Sequence, residues 1–340
     1  MAGISYIFLY DVVSSHGPPR HCLPNPWVGR MCLVHKGVHF ENRHVTLEEL
    51  RREGQGSLRA RFAPSLPAHE RLLVPMIEVC HTDGSTTLVG DTLNIAEYLD
   101  ANFPHAPSLF VPCLSGPDTP DVESSEYRQA RTMARFLKDG LGGSDSRWTR
   151  HFELVSSEIA DRFQEHEREM LSKESTLNVL NGKELFATLD RADLIAHTRR
   201  SLLPLCSILS PAPPPKVFQS SPPRDSARVD ERPCYPPRAP PLFLASPDKP
   251  GLLDYILFGR YAMTRAAAPE INTAIWSVDS RLAREWLAGY EGGKWALRGS
   301  DAEVGRWDGD VHLPGIEDWV QRMLDAHGGY ARAFLEAEGV

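Results

Sequence analysis

The sequence predicts an α/β domain followed by an all-helical domain. Three observations carry that prediction. Short apolar runs rich in β-forming residues occur before residue 104 and find no equal after it. Helical segments then take over. Between the two lies a stretch rich in proline, serine and glycine, the composition of a linker. The expected boundaries are 1–104 for the α/β domain, 105–122 for the linker and 123–338 for the helical domain.

Within the first domain, Ser5 to Val13 (SYIFLYDVV) is apolar and predicts a buried strand. His16 to Pro26 is a proline-rich loop. Pro26 suits the first turn of a helix, where a missing N–H costs nothing. Trp27, Met31, Leu33 and Val34 give that helix an apolar face, and Gly37 supplies its C-terminal cap. Val38 to Val45 predicts a second strand. Leu72 to Cys80 predicts a third, interrupted by Pro75, and a proline there marks an edge or a special turn. Asp83-Gly84 is a hairpin turn, and Thr86 to Val89 is the returning strand. Asp91 caps a helix from Thr92 to Asn102, which places Leu93, Ala96 and Leu99 on one face.

Beyond the linker, helices are expected over 124–139, 153–172, 183–205, 252–268, 271–290 and 315–336. One segment departs from this pattern. Of the 28 prolines, 13 lie between Pro211 and Pro250, mixed with serine and arginine. Such a composition cannot bury a core, so 206–246 is expected to be a disordered insertion, or a retained non-coding stretch, between two helices.

Composition excludes several classes. A formal net charge of −8 over 340 residues argues against nucleic acid and anionic membrane as partners. No apolar run approaches the roughly 20 residues that span a bilayer. Met1 to Tyr10 lacks a basic leader region, which predicts no signal peptide. Six cysteines, at 22, 32, 80, 113, 206 and 234, form no CxxC pair, so neither a zinc site nor a disulfide framework is expected, and a cytoplasmic setting fits. The 13 histidines show no metal spacing; His35 and His39 straddle Gly37 and cannot share a helical face.

The run Pro24-Asn25-Pro26-Trp27-Val28-Gly29-Arg30-Met31-Cys32-Leu33-Val34-His35-Lys36-Gly37 resembles the first helix of fungal glutathione S-transferase-like proteins, in the group related to bacterial β-etherases. Pro24, Asn25, Trp27, Arg30, Leu33, Lys36 and Gly37 match that group's pattern. Val74-Pro75 stands where the family has its cis-proline. Asp91-Thr92 stands where it has an acidic residue followed by serine, and Asn94 to Leu99 continues the match. Lys249 to Leu257 resembles a later helix start, with Gly251 in place of the usual serine cap, and Trp286 to Trp295 resembles a late segment of fungal members. The resemblance implies a thioredoxin-like N-terminal domain, an all-α C-terminal domain, glutathione as co-substrate, an apolar small-molecule partner between the domains, and a homodimer. In fungi such proteins are linked to detoxification or secondary metabolism.

A glutathione site must hold the γ-glutamyl end, pair with the peptide backbone and keep the thiol ionised. Asp91 can accept from the ammonium, while Thr92 and the helix N–H groups can donate to the carboxylate. As isolated residues, Asp91 and Thr92 would be an ordinary cap. The resemblance implies a cis Val74–Pro75 bond, whose backbone would pair with the cysteinyl unit; the alternative is a trans proline on an edge strand. A free thiol has a pKa near 8.5, so ionising it at neutral pH needs a donor. The family uses serine or a neighbouring asparagine. Here Leu23 takes the serine position and offers no donor, which leaves the Asn25 amide, otherwise a turn residue. Cys22 beside it is either a packed thiol or the nucleophile of a thiol transferase. Three readings follow: a glutathione transferase using Asn25, a glutathione-binding protein without thiol activation, and a Cys22-dependent thiol transferase.

Overall fold

The structure, a computed structural model, describes residues 3–14, 20–52, 54–62, 74–111, 122–142, 191–210, 241–283 and 311–340, with scattered positions between 151 and 165 and residue 285. The segment of the insertion from 211 to 240, most of the expected helix 153–172, residues 183–190, the linker residues 112–121, and Trp286 and Trp295 lie outside the described residues.

Strand β1 (Ile4–Val12) lies inside a four-stranded sheet of order β2-β1-β3-β4, formed with β2 (Glu41–Val45), β3 (Met76–His81) and β4 (Thr86–Gly90). It runs parallel to β2 and antiparallel to β3, and β3 pairs antiparallel with β4. The alternation of β1 decides the two faces. Ile7 and Leu9 are fully buried on one of them. Tyr6, Phe8 and Tyr10 alternate onto the other, where Tyr10, Arg43 and Arg61 all bind the Glu78 carboxylate. The expected second strand is shorter than predicted: Val38 to Phe40 run alongside the helix end, and pairing starts at Glu41. The third begins only at Met76, because the Val74–Pro75 peptide is cis and breaks the extended run.

Helix α1 (Pro24–His35) buries ten of its twelve residues rather than one face. It is sandwiched between the sheet and a helix of the second half, so both sides are covered. Its end has the predicted form: Gly37 takes a left-handed φ of 64°, its N–H donates to the Val34 carbonyl at 2.9 Å, and Val38 N–H returns to Leu33 at 3.1 Å. Short helices α2 (Leu47–Arg51) and α3 (Leu58–Phe62) follow β2, and α4 (Thr92–Asn102) follows β4. Together, β1-α1-β2…β3-β4-α4 form a thioredoxin-like domain.

The helical half comprises α5 (Ser125–Gly142), α6 (Arg191–Leu209), α7 (Leu252–Ala267), α8 (Pro269–Trp276) and α9 (Ile316–Ala337) among the described residues. The segment 206–246 is ordered at both ends. Helix α6 continues to Leu209 with Cys206 buried, and the backbone N–H groups of Leu244 and Ala245 donate to Asp254 at 2.7 and 3.0 Å. Apolar burial and a carboxylate partner order those ends, which composition could not reveal. Helix α8 stops at Trp276, which breaks the expected helix 271–290; 281–283 and 285 are helical again, and 284 and 286–290 lie outside the described residues. Ser277 is extended, and the buried Arg199 guanidinium takes up the carbonyls of Ala274, Ile275 and Ser277 at 3.0–3.1 Å.

Helix α7 is the spine of this half. Asp254, fully buried, accepts from Gly251 N–H, from Leu244 and Ala245, and from the Trp319 indole at 2.9 Å. Burial pushes its carboxyl pKa up, and those four donors oppose the shift. Gly259 sits where α7 crosses α1, and a Cβ there would stand 2.5 Å from the Pro24 carbonyl oxygen. Lys36 and Asp100 form a buried ion pair at 2.7 Å. Asp100 also receives the Leu109 N–H and the Ser108 hydroxyl, and the Leu252 N–H donates to the Leu109 carbonyl. The start of the linker is thereby bound to both domains.

No described helix is long and apolar enough to cross a membrane. Among the described residues no three His, Cys, Asp or Glu side chains gather as a metal site.

Candidate functional site

The cis Val74–Pro75 peptide lies under α1, whose Gly29 comes so close that a Cβ would be 3.0 Å from the Pro75 Cβ. The β3–β4 pairing then sets Met76 opposite Gly90, so Asp91 follows beside the proline and donates its N–H to the Pro75 carbonyl at 3.3 Å. Val74 is half-buried and Pro75 buried. The sheet thus brings together the two dipeptides, Val74-Pro75 and Asp91-Thr92, that the sequence singled out.

Asp91 has φ 73° and ψ 142°, a conformation that costs a non-glycine residue about 1–3 kcal/mol. Its carboxylate explains how it is held. One oxygen caps α4 by accepting the Leu93 N–H at 2.9 Å, and the other pairs with the Lys138 ammonium from α5. Thr92 is 2% exposed, and its hydroxyl has no hydrogen-bond partner among the described residues. The positive end of α4 and this unmet hydroxyl make a position that favours an anion.

The start of α1 has an unusual donor set. Leu23 is its N-cap, with no side-chain hydrogen bond. Pro24 and Pro26 lack N–H groups, so Asn25 is the one donor among the first three helical residues. Asn25 is exposed, and it heads the helix one turn, about 6 Å along the axis, before the Gly29 that touches Pro75. Its amide has no partner among the described residues. Cys22 differs: its side chain is fully buried. The Trp27 indole donates to the His21 carbonyl at 2.9 Å, and Glu338 accepts the His21 N–H at 3.1 Å, so the loop is tied down on both sides. Cys22, Cys32, Cys80 and Cys206 are not in disulfides.

Within α1, Arg30, which matches the family pattern, and His35, which does not belong to it, have structural partners. Arg30 is fully buried, with one nitrogen 2.7 Å from Asp11 and another 2.8 Å from the Asn42 amide oxygen, and its guanidinium lies 4.1 Å over the Phe334 ring. His35 presents Nε2 to the Pro107 carbonyl at 3.1 Å, so Nε2 carries the proton and Nδ1 accepts the Tyr255 hydroxyl at 2.6 Å. Tyr255 in turn accepts from His327 Nε2 at 2.8 Å, where α9 kinks through His327, Gly328 and Gly329 at positive φ. Burial lowers the His35 pKa to about 3, so the ring is neutral.

Lys138 is the site residue that sequence reasoning missed. It lies on a helix of the second half, seven residues after Arg131, which pairs with Glu97 of α4 at 2.5 Å. That charge complementarity between α4 and α5 was the only available signal, and it has no local pattern.

No protein-family model matches the chain, and no curated protein matches it. Solved structures do resemble it. A glutathione S-transferase of Ceriporiopsis subvermispora, crystallised in complex with glutathione, superposes with a TM-score of 0.52 over 86% of this chain and 96% of its own, at 14% identity. A glutathione transferase from Phanerochaete chrysosporium gives a TM-score of 0.50 over 99% of this chain and 97% of its own, at 16% identity. At such identities the likeness shows the fold. The chain has the glutathione S-transferase fold, a thioredoxin-like domain followed by an α-helical one.

Proposed function

We propose that this protein binds glutathione and transfers its thiolate to a small electrophilic or ether-bearing molecule, in detoxification or secondary metabolism. The observation that carries the reading is the placement of cis Val74–Pro75 directly against Asp91-Thr92, under the first helix of this fold. The fold's relative from Ceriporiopsis subvermispora was crystallised in complex with glutathione, which supports the choice of ligand.

In this reading Val74 exchanges backbone hydrogen bonds with the cysteinyl unit, and Asp91 and Thr92 hold the γ-glutamyl end. Asn25 stabilises the thiolate. Each unit by which the thiol pKa falls below about 8.5 needs roughly 1.4 kcal/mol, and one hydrogen bond to a charged group supplies about that much or more. The backbone N–H of Asn25 and the positive end of α1 add to it. The apolar co-substrate lies between the two domains, the protein acts in the cytoplasm, and its assembly is a homodimer.

A second reading is favoured by one observation. Leu23 caps α1 without a donor, so the chain can bind glutathione without activating it. The third reading, thiol transfer by Cys22, has the full burial of that side chain against it. Calorimetric titration with glutathione, paired with a conjugation assay on an activated aryl halide, decides between them. Binding with halide release that drops in Asn25→Ala is the expected result. Binding without release selects the second reading, and release lost only in Cys22→Ser selects the third. Absence of glutathione binding overturns all three.

A further inference from the structure

The start of α1 is held from outside the helix. Leu23 caps it without a side-chain hydrogen bond, and Pro24 and Pro26 bring no N–H groups, so no local cap fixes the turn that presents Asn25. The grip falls on His21, with only Cys22, Leu23 and Pro24 between it and Asn25. The His21 carbonyl accepts the Trp27 indole N–H at 2.9 Å. Its backbone N–H donates to Glu338 Oε1 at 3.1 Å, and its ring Nδ1 donates to the same oxygen. Its Nε2 lies 3.4 Å from the Asp11 carboxylate. The pair is sealed, with side-chain exposures of 5% for His21 and 8% for Glu338. Glu338 ends the last piece of α9, which follows the break in helical geometry from Ala326 to Gly329. That piece packs on α1 and its loop: the Phe334 ring stands edge-on 4.9 Å from His21 and 5.3 Å from Trp27, and Arg30 donates to the Tyr330 hydroxyl at 3.4 Å.

We propose that Glu338 is a positioning residue for the Asn25 amide: by holding both the backbone and the ring of His21, it sets the bend from Cys22 to Pro24 and so the place of Asn25 at the head of α1. The inference rests on the proposed role of Asn25 and names a residue that acts through it. Two donors of one residue meet on one oxygen, so His21 cannot turn without breaking both bonds and leaving buried donors unmet. The Cys22-Leu23 step is then strung between two fixed points, His21 on Glu338 and the Pro24 carbonyl against Gly259. Among the described residues the Glu338 carboxylate bonds to His21 alone, and neither Val74-Pro75 nor Asp91-Thr92 depends on it. Glu338 therefore governs the thiolate and leaves the affinity for glutathione to other residues. A displacement of about 1 Å in a reacting group can cost on the order of a hundredfold in rate.

The test compares wild type, Glu338→Asp, Glu338→Gln and Ser108→Ala as full chains, by calorimetric titration with glutathione, ultraviolet absorbance of the bound thiolate, and conjugation of an activated aryl halide. Glu338→Asp keeps the charge and shortens the reach by one methylene. It should bind glutathione within about twofold of wild type, lose thiolate absorbance at neutral pH, and lower kcat about tenfold or more. Glu338→Gln loses the charge and keeps an oxygen where both His21 donors point, so its kcat should fall by no more than about threefold. Ser108→Ala removes a buried hydroxyl that donates to Asp100 at 2.8 Å. It should lower the melting temperature and leave kcat per folded molecule unchanged, which separates positioning from general loss of stability. The reverse order, Gln slower than Asp, overturns the proposal, as do Asp and wild type with equal kcat and thiolate absorbance, or Ser108→Ala as slow as Glu338→Asp. Wild type that does not bind glutathione, or binds it without thiolate, overturns the proposed function and this inference with it. A wild type that forms thiolate and releases halide, with the expected order of the variants missing, removes only this inference.

Discussion

Gly259 of α7 and Pro24 of α1 are in backbone-close contact: a methyl group on Gly259 would stand 2.5 Å from the Pro24 carbonyl oxygen. The obstacle is backbone, which cannot rotate aside as a side chain could. The crossing of the helical domain on the thioredoxin-like domain therefore sets the position of the α1 N-terminus, and with it Asn25.

Gly259→Ala should destabilise the protein by about 1–3 kcal/mol, the usual cost of overpacking a close contact. Thermal melts should show the loss, and glutathione affinity should fall in the protein that remains folded. A melting temperature equal to that of wild type would mean that α1 is not clamped at this point.

Asn25 and Cys22 should behave oppositely. Asn25 is exposed, so Asn25→Ala should leave stability within about 0.5 kcal/mol while slowing conjugation tenfold or more. Cys22 is fully buried, so iodoacetamide should not label it until the chain unfolds. Peptide mapping after brief alkylation checks this, and rapid labelling of Cys22 in folded protein would revive the thiol-transferase reading.

Asp91→Asn keeps an oxygen for the Leu93 N–H and removes the charge that pairs with Lys138. Stability should change by no more than about 1 kcal/mol, since the cap survives and a half-exposed ion pair contributes little. Glutathione affinity should fall by tenfold or more. Affinity equal to wild type would show that Asp91 is a cap and nothing else.

His35 gives the fold a pH dependence of defined sign. Its pKa is held near 3 by burial, below the ordinary 6.5. Between those values the unfolded chain takes up a proton that the folded protein refuses, so stability is full above pH 6.5 and falls as pH drops toward 3. By pH 5 the loss from this one group is about 2 kcal/mol. Urea melts of wild type and His35→Asn across pH 5 to 7 should show a steeper acid loss in wild type; equal slopes would mean that the ring is protonated in the fold.

Much of this protein was legible in the sequence because the signals are local. Four strands, a helix closing at Gly37 and a cap at Asp91 each depend on neighbours in the chain, and the structure has them, although the helix opens at Pro24, inside the stretch expected as a loop up to Pro26. Boundaries set by distant partners were not legible. Helix α8 ends where Arg199 takes its carbonyls, and α6 runs past 206 because Cys206 finds a buried place. The single apolar face expected of α1 became burial on nearly all sides, since a second domain covers what one domain would leave wet.

By itself the sequence determined the two-part architecture and the dipeptides Val74-Pro75 and Asp91-Thr92, because periodicity, turn chemistry and capping are written in adjacent residues. Only the tertiary structure decided that these dipeptides touch, that Asn25 is open while Cys22 is sealed, and that Lys138 stands on Asp91. Those are contacts between elements far apart in the chain, and they depend on how the sheet pairs and where α5 and α7 dock.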